Sequence, residues 1–275
     1  MSKLPISVVI NTFQAERYLD LVLRAVANHV EEIVICDMHS TDQTIPIAEK
    51  HKAKIVYHEH LGYADPARKF AVEQASQPWI FILDADEIVP ATLWPEIEKL
   101  IAQTDIDIVQ FHWLNYMFGK PITGAGFGPE KDIHPRLFRA GKMTLHAEVH
   151  AYRKPVDGAL IHTIPYSPET CIHHFTYRDA EEFITRVNKY TSLEAENHYK
   201  SATLTPFKAL RKLSRDFLKR LYKQDGIKLG WQGFNIALLM LANDAMKFAK
   251  IIELQNQASP ESTEQKHKEI AENLL

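Results

Sequence analysis

The chain has 275 residues, 45% apolar and 24% charged, a balance that excludes disorder over most of its length and allows one large domain or a domain with an appendage. Lys and Arg number 32 against 35 Asp and Glu, a formal net charge of -3, which excludes the global basic field that nucleic-acid binding needs. Two cysteines, Cys36 and Cys171, are too few for a disulfide framework or a cysteine-rich zinc site and fit a reducing, cytoplasmic setting.

The first residues lead into a short apolar run, Ile6–Ile10, that lacks the length and cleavage site of a signal peptide, so no export is expected. This run, Ile33–Cys36, Lys54–Tyr57 and Trp79–Leu83 read as four buried strands, rich in β-branched or aromatic residues. Between them lie helices. Leu19, Val22, Leu23 and Val26 fall on one helical face; a second helix carries Pro46 in its first turn; Asp65-Pro66 starts a third that runs to about Ala75. Strands alternating with helices as far as Leu100 predict an α/β domain with a mostly parallel sheet. From Asp107 to Ile172, strand-like runs at Ile108–Trp113 and Arg136–Phe138 flank a loop, Gly124–Pro129, of the long irregular kind that often forms a binding site. Helices follow from Asp179 to Tyr199, Pro206 to Lys223 and Leu229 to Glu253, then a polar tail after Gln255 that is expected to fray. The weakly polar stretch Trp231–Ala242 is too short to span a bilayer, which takes roughly 20 residues.

Asp84-Ala85-Asp86-Glu87 directly follows the fourth strand. Ligands of open α/β sheets bind at the carboxyl ends of strands, and two carboxylates there suit a hard cation, Mg²⁺ or Mn²⁺, that bridges phosphate oxygens. The plainer reading is a solvated turn capping the next helix. Asp37 ends the second strand and by the same logic reaches the base or ribose of a nucleotide, whereas Ser40, Thr41 and Asp42 read as helix caps. The turn after the first strand, Asn11-Thr12-Phe13-Gln14-Ala15, has none of the glycines a dinucleotide needs, nor the phosphate loop of a nucleotidyltransferase. His146-Ala147-Glu148-Val149-His150 spaces two histidines four apart but lacks the metalloprotease order, which argues against zinc.

Ser7–Thr12, Glu16, Ile33–Asp37, Ser40-Thr41-Asp42, Gly62-Tyr63, Ala67-Arg68-Lys69 and Leu83–Glu87 together resemble family 2 inverting glycosyltransferases. Arg136–Arg139, His174–Tyr177 and Asn188–Tyr190 extend the resemblance to the lipopolysaccharide-core β-glucosyltransferase branch. The resemblance implies an A-type nucleotide-diphospho-sugar transferase fold. Residues 1–178 would be the catalytic domain (1–105 donor half, 106–178 acceptor half), 179–255 a helical appendage and 256–275 a polar tail. It implies further that Thr12, Glu16 and Asp37 line the nucleoside pocket and that Arg68 or Lys69 meets ribose or phosphates. Asp84 and Asp86 would be the Asp-X-Asp pair, Asp86 the direct ligand of Mn²⁺ or Mg²⁺, with His174 completing the metal site.

Inverting transfer needs a leaving-group stabiliser and a general base. Branch members often carry His-Glu where this chain reads Glu148-Val149-His150-Ala151, so Glu148 is the candidate base, His150 its alternative or orienter, and Asp132 a third choice. The expected reaction moves a hexose, glucose by resemblance, from a UDP-sugar to a lipopolysaccharide-core or other surface glycan. A non-catalytic sugar-nucleotide-binding module is the rival. Lys208, Arg211, Lys212, Arg215, Lys219 and Lys223 share one face of the 206–223 helix, with Leu210, Leu213, Phe217 and Leu221 on the other. Such a helix can lie on an anionic membrane, placing the protein on the inner face of the cytoplasmic membrane; a solvated helix packed by its apolar side is the alternative.

Overall fold

The computed structural model describes residues 2–60, 65–145 and 153–275, which form two compact units. The first comprises the chain up to Tyr116 together with Pro129–Thr176, and the second Met117–Gly128 together with Tyr177–Leu275.

In chain order the elements are β1 (Leu4–Thr12), α1 (Glu16–Val26), β2 (Val30–Asp37), α2 (Thr44–Lys50), β3 (Lys54–Tyr57), α3 (Asp65–Glu73), β4 (Trp79–Asp84), β5 (Glu87–Ile88), α4 (Trp94–Ile101) and β6 (Ile108–Met117). Next come β7 (Lys120–Pro121), β8 (Ile133–Arg139), β9 (Met143–Thr144), β10 (Lys154–Pro155), β11 (Ile161–Thr163), β12 (Ile172–Tyr177), α5 (Ala180–His198), α6 (Pro206–Leu218), α7 (Trp231–Gln255) and α8 (Pro260–Glu272).

The main sheet runs β3-β2-β1-β4-β8-β6-β12-β5. Its first four strands are parallel; β8 then pairs antiparallel with both β4 and β6. Both faces of the parallel part are covered, which is why its strands read as continuous apolar runs. Ile6, Val8 and Ile10 pack with Leu19, Val22, Leu23 and Val26 of α1, while Val9 turns to Ala67 and Ala71 of α3. The four α1 side chains are fully buried, each burial contributing roughly 1.5–3 kcal/mol. Register then sets the site: Thr12 lies beside Asp37 and Asn11 beside Asp84, so three adjacent strands deliver their last polar residues to one edge.

The second unit is helical. Asp179 caps α5 by accepting from the Glu182 amide, and Thr205 caps α6 by accepting from the Lys208 amide, with Pro206 in the first turn. A π-helical turn, Lys219–Lys223, extends α6. The segment Gly124–Gly128 packs within this unit, where the Ala125 amide donates to the Gln224 carbonyl at 2.6 Å and the Arg220 guanidinium donates to the Ala125 carbonyl at 2.9 Å. A Cβ at Gly124 would sit 2.9 Å from the Gln224 carbonyl oxygen, so this glycine serves close backbone packing.

The structure adds to the sequence reading at four places. The loop segment 124–128 packs within the helical unit. The tail forms α8, because Ser259 and Ser262 make reciprocal capping bonds ahead of Pro260. The apolar face of α6 is covered only in part: Leu210 is exposed, while the Phe217 ring meets Phe234 of α7. The strand β12 and the helix α4, to which the sequence reading assigned no element, complete the first unit.

Candidate active site

Asp84 ends β4 with one carboxylate oxygen 2.9 Å from Arg68 Nη2 and the other 3.1 Å from Arg136 Nη2. Arg136, on β8 and fully buried, also meets the equally buried Glu87 at 2.5 Å, and its guanidinium lies 4.4 Å from the centre of the Trp113 ring. Glu87 closes the turn by accepting from the Asp84 amide at 3.1 Å. The acidic turn is therefore braced by buried arginines, not merely solvated. Burial works to raise Asp84, but Arg136, then Arg68 and Arg153, hold it well below the usual carboxylate range. Glu87 shares Arg136 with Asp84; burial, with the neighbouring Asp84 charge adding to it, outweighs that arginine and pushes Glu87 up to about 7.

The site carries unsatisfied donors. Buried Nε and Nη1 of Arg136 and Nη1 of Arg153 have no hydrogen-bond partner among the described residues, and burial, then the charges of Arg136 and Arg68, pull Arg153 down to about 9. Both polar atoms of the Asn11 amide, beside Asp84 in the register, are likewise buried without a partner. Unpaired buried donors are costly, and an anion with several acceptor oxygens is the group that satisfies them.

On the other side of the turn, Asp86 Oδ1 lies 3.6 Å from His174 Nε2. The backbone fixes this approach, since the Phe175 amide of β12 donates to the Asp86 carbonyl at 3.0 Å. His174 Nδ1 is 2.9 Å from Asn115 Oδ1, while Asn115 Nδ2 donates to Asp132 at 2.6 Å. A carboxylate only accepts, so Asn115 must turn its oxygen toward the imidazole, and Nδ1 of His174 must carry the proton. That leaves Nε2 aimed at Asp86. Burial lowers the His174 pKa, but the carboxylates of Asp86, Glu87 and Asp84 outweigh it, leaving it above the ordinary value. Two acceptors so placed need a cation between them, either a proton or a metal ion.

Among the described residues no group of three or more His, Cys, Asp or Glu converges to hold a metal. Asp86 and His174 alone fit an ion whose remaining ligands are phosphate oxygens and water. Asp84, expected as the partner of Asp86 in the Asp-X-Asp pair, meets one arginine with each of its oxygens.

Other expected residues fall as follows. Thr12 Oγ1 donates to Asp37 at 2.8 Å, and Asp37, fully buried, also accepts from the Ser40 amide at 2.7 Å and hydroxyl at 2.6 Å. These bonds tie the loop that follows β2 to the strand edge. Glu16 accepts from the Gln43 amide at 2.9 Å, and Asp42 accepts from the amides of Glu16 and Thr44 at 3.1 and 3.0 Å. Asp42 thus satisfies one free amide at the start of each of α1 and α2, the capping role expected of it. Of the pair Arg68 and Lys69, Arg68 joins the site; Lys69 pairs with Glu73 at 3.3 Å. Asp132, the third-choice base, already accepts from Asn115 and, at 2.7 Å, from His134. Glu148 and His150, like Gly62 and Tyr63, lie outside the described residues.

Residues 7–151 match the sequence profile of Glycosyl transferase family 2. The chain belongs to that family. It is 29% identical over 260 residues to the lipopolysaccharide core biosynthesis glycosyltransferase LpsC of Rhizobium meliloti, covering 90% of this chain and 92% of LpsC. It is 25% identical over 240 residues to an uncharacterized glycosyltransferase of Rickettsia felis, covering 84% and 83%. Among solved structures, glucosyl-3-phosphoglycerate synthase of Mycobacterium tuberculosis in complex with Mn²⁺, UDP and glucosyl-3-phosphoglycerate aligns at 21% identity and a TM-score of 0.33 over 40% of this chain and 44% of that one. That likeness spans under half of the synthase and carries no argument here. This family 2 glycosyltransferase thus brings together Asp84, Asp86, His174 and Arg68 from the sequence reading. It adds Arg136, Arg153, Glu87, Asn115 and Asn11, which that reading left without a role. Arg136 was visible inside the Arg136–Arg139 run, yet nothing in the run announces burial against two carboxylates.

Proposed function

We propose that the enzyme transfers glucose, with inversion, from UDP-glucose to a lipopolysaccharide-core or other surface-glycan acceptor, assisted by Mn²⁺ or Mg²⁺ and working at the inner face of the cytoplasmic membrane. The observation that carries the metal-assisted reading is the facing pair Asp86 and His174 beside Arg136 and Arg153, whose buried donors find no partner among the described residues. The acceptor class rests on the 29% identity to LpsC across most of both chains.

Asp86 and His174 would hold the ion, which when bound supplies Lewis-acid neutralisation of the departing diphosphate. Arg136 and Arg153 donate to the same phosphate oxygens, and Asp84 keeps Arg68 and Arg136 aimed inward. The acceptor hydroxyl oxygen forms its bond to the anomeric carbon as the carbon–phosphate-oxygen bond breaks on the opposite face, releasing UDP. The hydroxyl proton passes to a carboxylate, which we assign to Glu148 with His150 as its orienter.

Incubating the purified protein with UDP-glucose and lipopolysaccharide core, with product analysis by NMR, is expected to give a β-linked glucoside. EDTA should abolish the transfer and Mn²⁺ restore it. An α-linked product, or transfer indifferent to EDTA, would overturn the proposal, and UDP binding without turnover on any acceptor would favour the non-catalytic module. Full activity in Glu148→Gln would remove Glu148 from the mechanism.

A further inference from the structure

The outer surface of α6 and the turns that follow it combine two features that seldom lie together on a solvated helix. No residue of α6 is buried, although Leu213 and Phe217 turn toward α7, where the Phe217 and Phe234 rings meet at 6.1 Å. The uncovered edge of the same apolar side, Phe207, Leu210 and Leu218 at i, i+3, i+11, continues through Tyr222, Ile227 and Trp231, all exposed. Phe207 is 74% exposed and Trp231 79%. The rim of a cavity of about 470 Å³ between Leu221, Tyr222, Trp231 and Phe234 belongs to the same patch.

One residue further round the helix, Lys208, Arg211, Arg215 and Lys219 repeat the same rows, so a cationic stripe borders the apolar one along its length. Residues 206–231 hold eight Lys and Arg against two acids, Asp216 and Asp225, in a chain whose formal net charge is -3. Those acids pair with Lys212, Arg215 and Lys228, leaving Lys208, Arg211, Lys219 and Lys223 outside the ion pairs found among the described residues. No described helix is long and apolar enough to cross a membrane. An apolar stripe edged by cations, with Trp and Tyr at its end, is complementary to one kind of partner: apolar side chains enter the headgroup boundary while the cations reach lipid phosphates.

We propose that the 206–231 surface is an in-plane docking face for an anionic phospholipid bilayer, with Trp231 and Tyr222 as interfacial anchors. The proposal rests on the reading of a membrane-borne acceptor but not on the metal chemistry, and its test separates the two. The full-length protein is floated with phosphatidylglycerol-containing vesicles and with pure phosphatidylcholine vesicles, at low and high salt, while tryptophan emission is followed with bromine-labelled lipids, the Trp231→Ser protein serving as the blank for Trp79, Trp94 and Trp113. Flotation only with the anionic vesicles, its loss at high salt, and quenching of Trp231 are expected. The pair Lys208→Glu with Arg211→Glu should lower partitioning about tenfold or more, and Leu210→Ser with Trp231→Ser should do the same without changing transfer from UDP-glucose to a soluble, delipidated core oligosaccharide. Absence of flotation at low salt, equal binding to neutral vesicles, or unchanged flotation in both variant pairs would overturn it. So would a dimer that forms through this patch and binds no vesicles. Loss of soluble-acceptor transfer in the parent protein would instead count against the proposed reaction.

Discussion

Asn115 decides which nitrogen of His174 faces Asp86, and Asp132 decides which way Asn115 points. Groups behind a metal ligand typically change metal affinity 10–100-fold, so Asn115→Ala is expected to weaken Mn²⁺ binding to the UDP complex by about that factor. UDP affinity without metal should stay unchanged, as read by calorimetry; an equal loss of both would mean simple structural damage. Arg136 makes a different prediction. Removing one partner of a fully buried ion pair costs about 3–5 kcal/mol, so Arg136→Leu should lower stability by that amount in urea unfolding. Arg153, with a donor left bare, makes another prediction: Arg153→Met weakens UDP binding with little change in melting temperature, because it removes a buried donor that no described residue satisfies. Asp84, Asp86 and His174 were legible because two of them form a local triplet after an apolar strand and the third sits in a recognisable run. Arg136, Asn115 and Arg153 were not, since their partners lie 52, 59 and more than 60 residues away and meet only through strand pairing.

The parallel strands and α1 were readable from periodicity because burial on both faces, or on one stripe, leaves a direct mark in residue order. The glycine-rich segment reads two ways, because glycine marks close backbone approach whether the neighbour is a ligand or the chain itself; here it is Gln224 and Asp225. The same crowding occurs inside α7, where a Cβ on Gly233 would lie 1.9 Å from the Gly226 carbonyl oxygen. Gly233→Ala, which improves helix propensity, is therefore expected to destabilise by about 1–3 kcal/mol or more, seen as a lower melting temperature. In the sheet unit, Asp107 accepts from the Leu160 amide at 3.1 Å and from Lys142 at 3.2 Å, and these bonds lower its pKa. A depressed carboxylate stabilises above its unfolded value of about 3.9, and that stability is lost as pH falls through the folded value. Asp107→Asn should melt below the parent at pH 7, with the gap closing at acid pH; a gap that persists there would mean the charge is not what matters.

Across the whole molecule, the chain divides into a sheet unit and a helical unit, and Met117–Gly128 belongs with the helices although it comes from the middle of the chain. Contact between segments far apart in sequence is what a linear pattern does not record. The two faces of the cationic helix are legible in residue order, but how much of its apolar side stays exposed is not. The cysteines of the chain are both buried and free, and burial pushes each thiol up to about 11, so neither competes for the metal or the donor. The account therefore turns on Asp86 and His174 sharing one divalent ion with the donor diphosphate. Mn²⁺ titration followed by electron paramagnetic resonance, with and without UDP, tests this directly in the parent, Asp86→Ala and His174→Ala. UDP-dependent Mn²⁺ binding that falls at least tenfold in each variant is the predicted result; Mn²⁺ binding left intact in Asp86→Ala would contradict it.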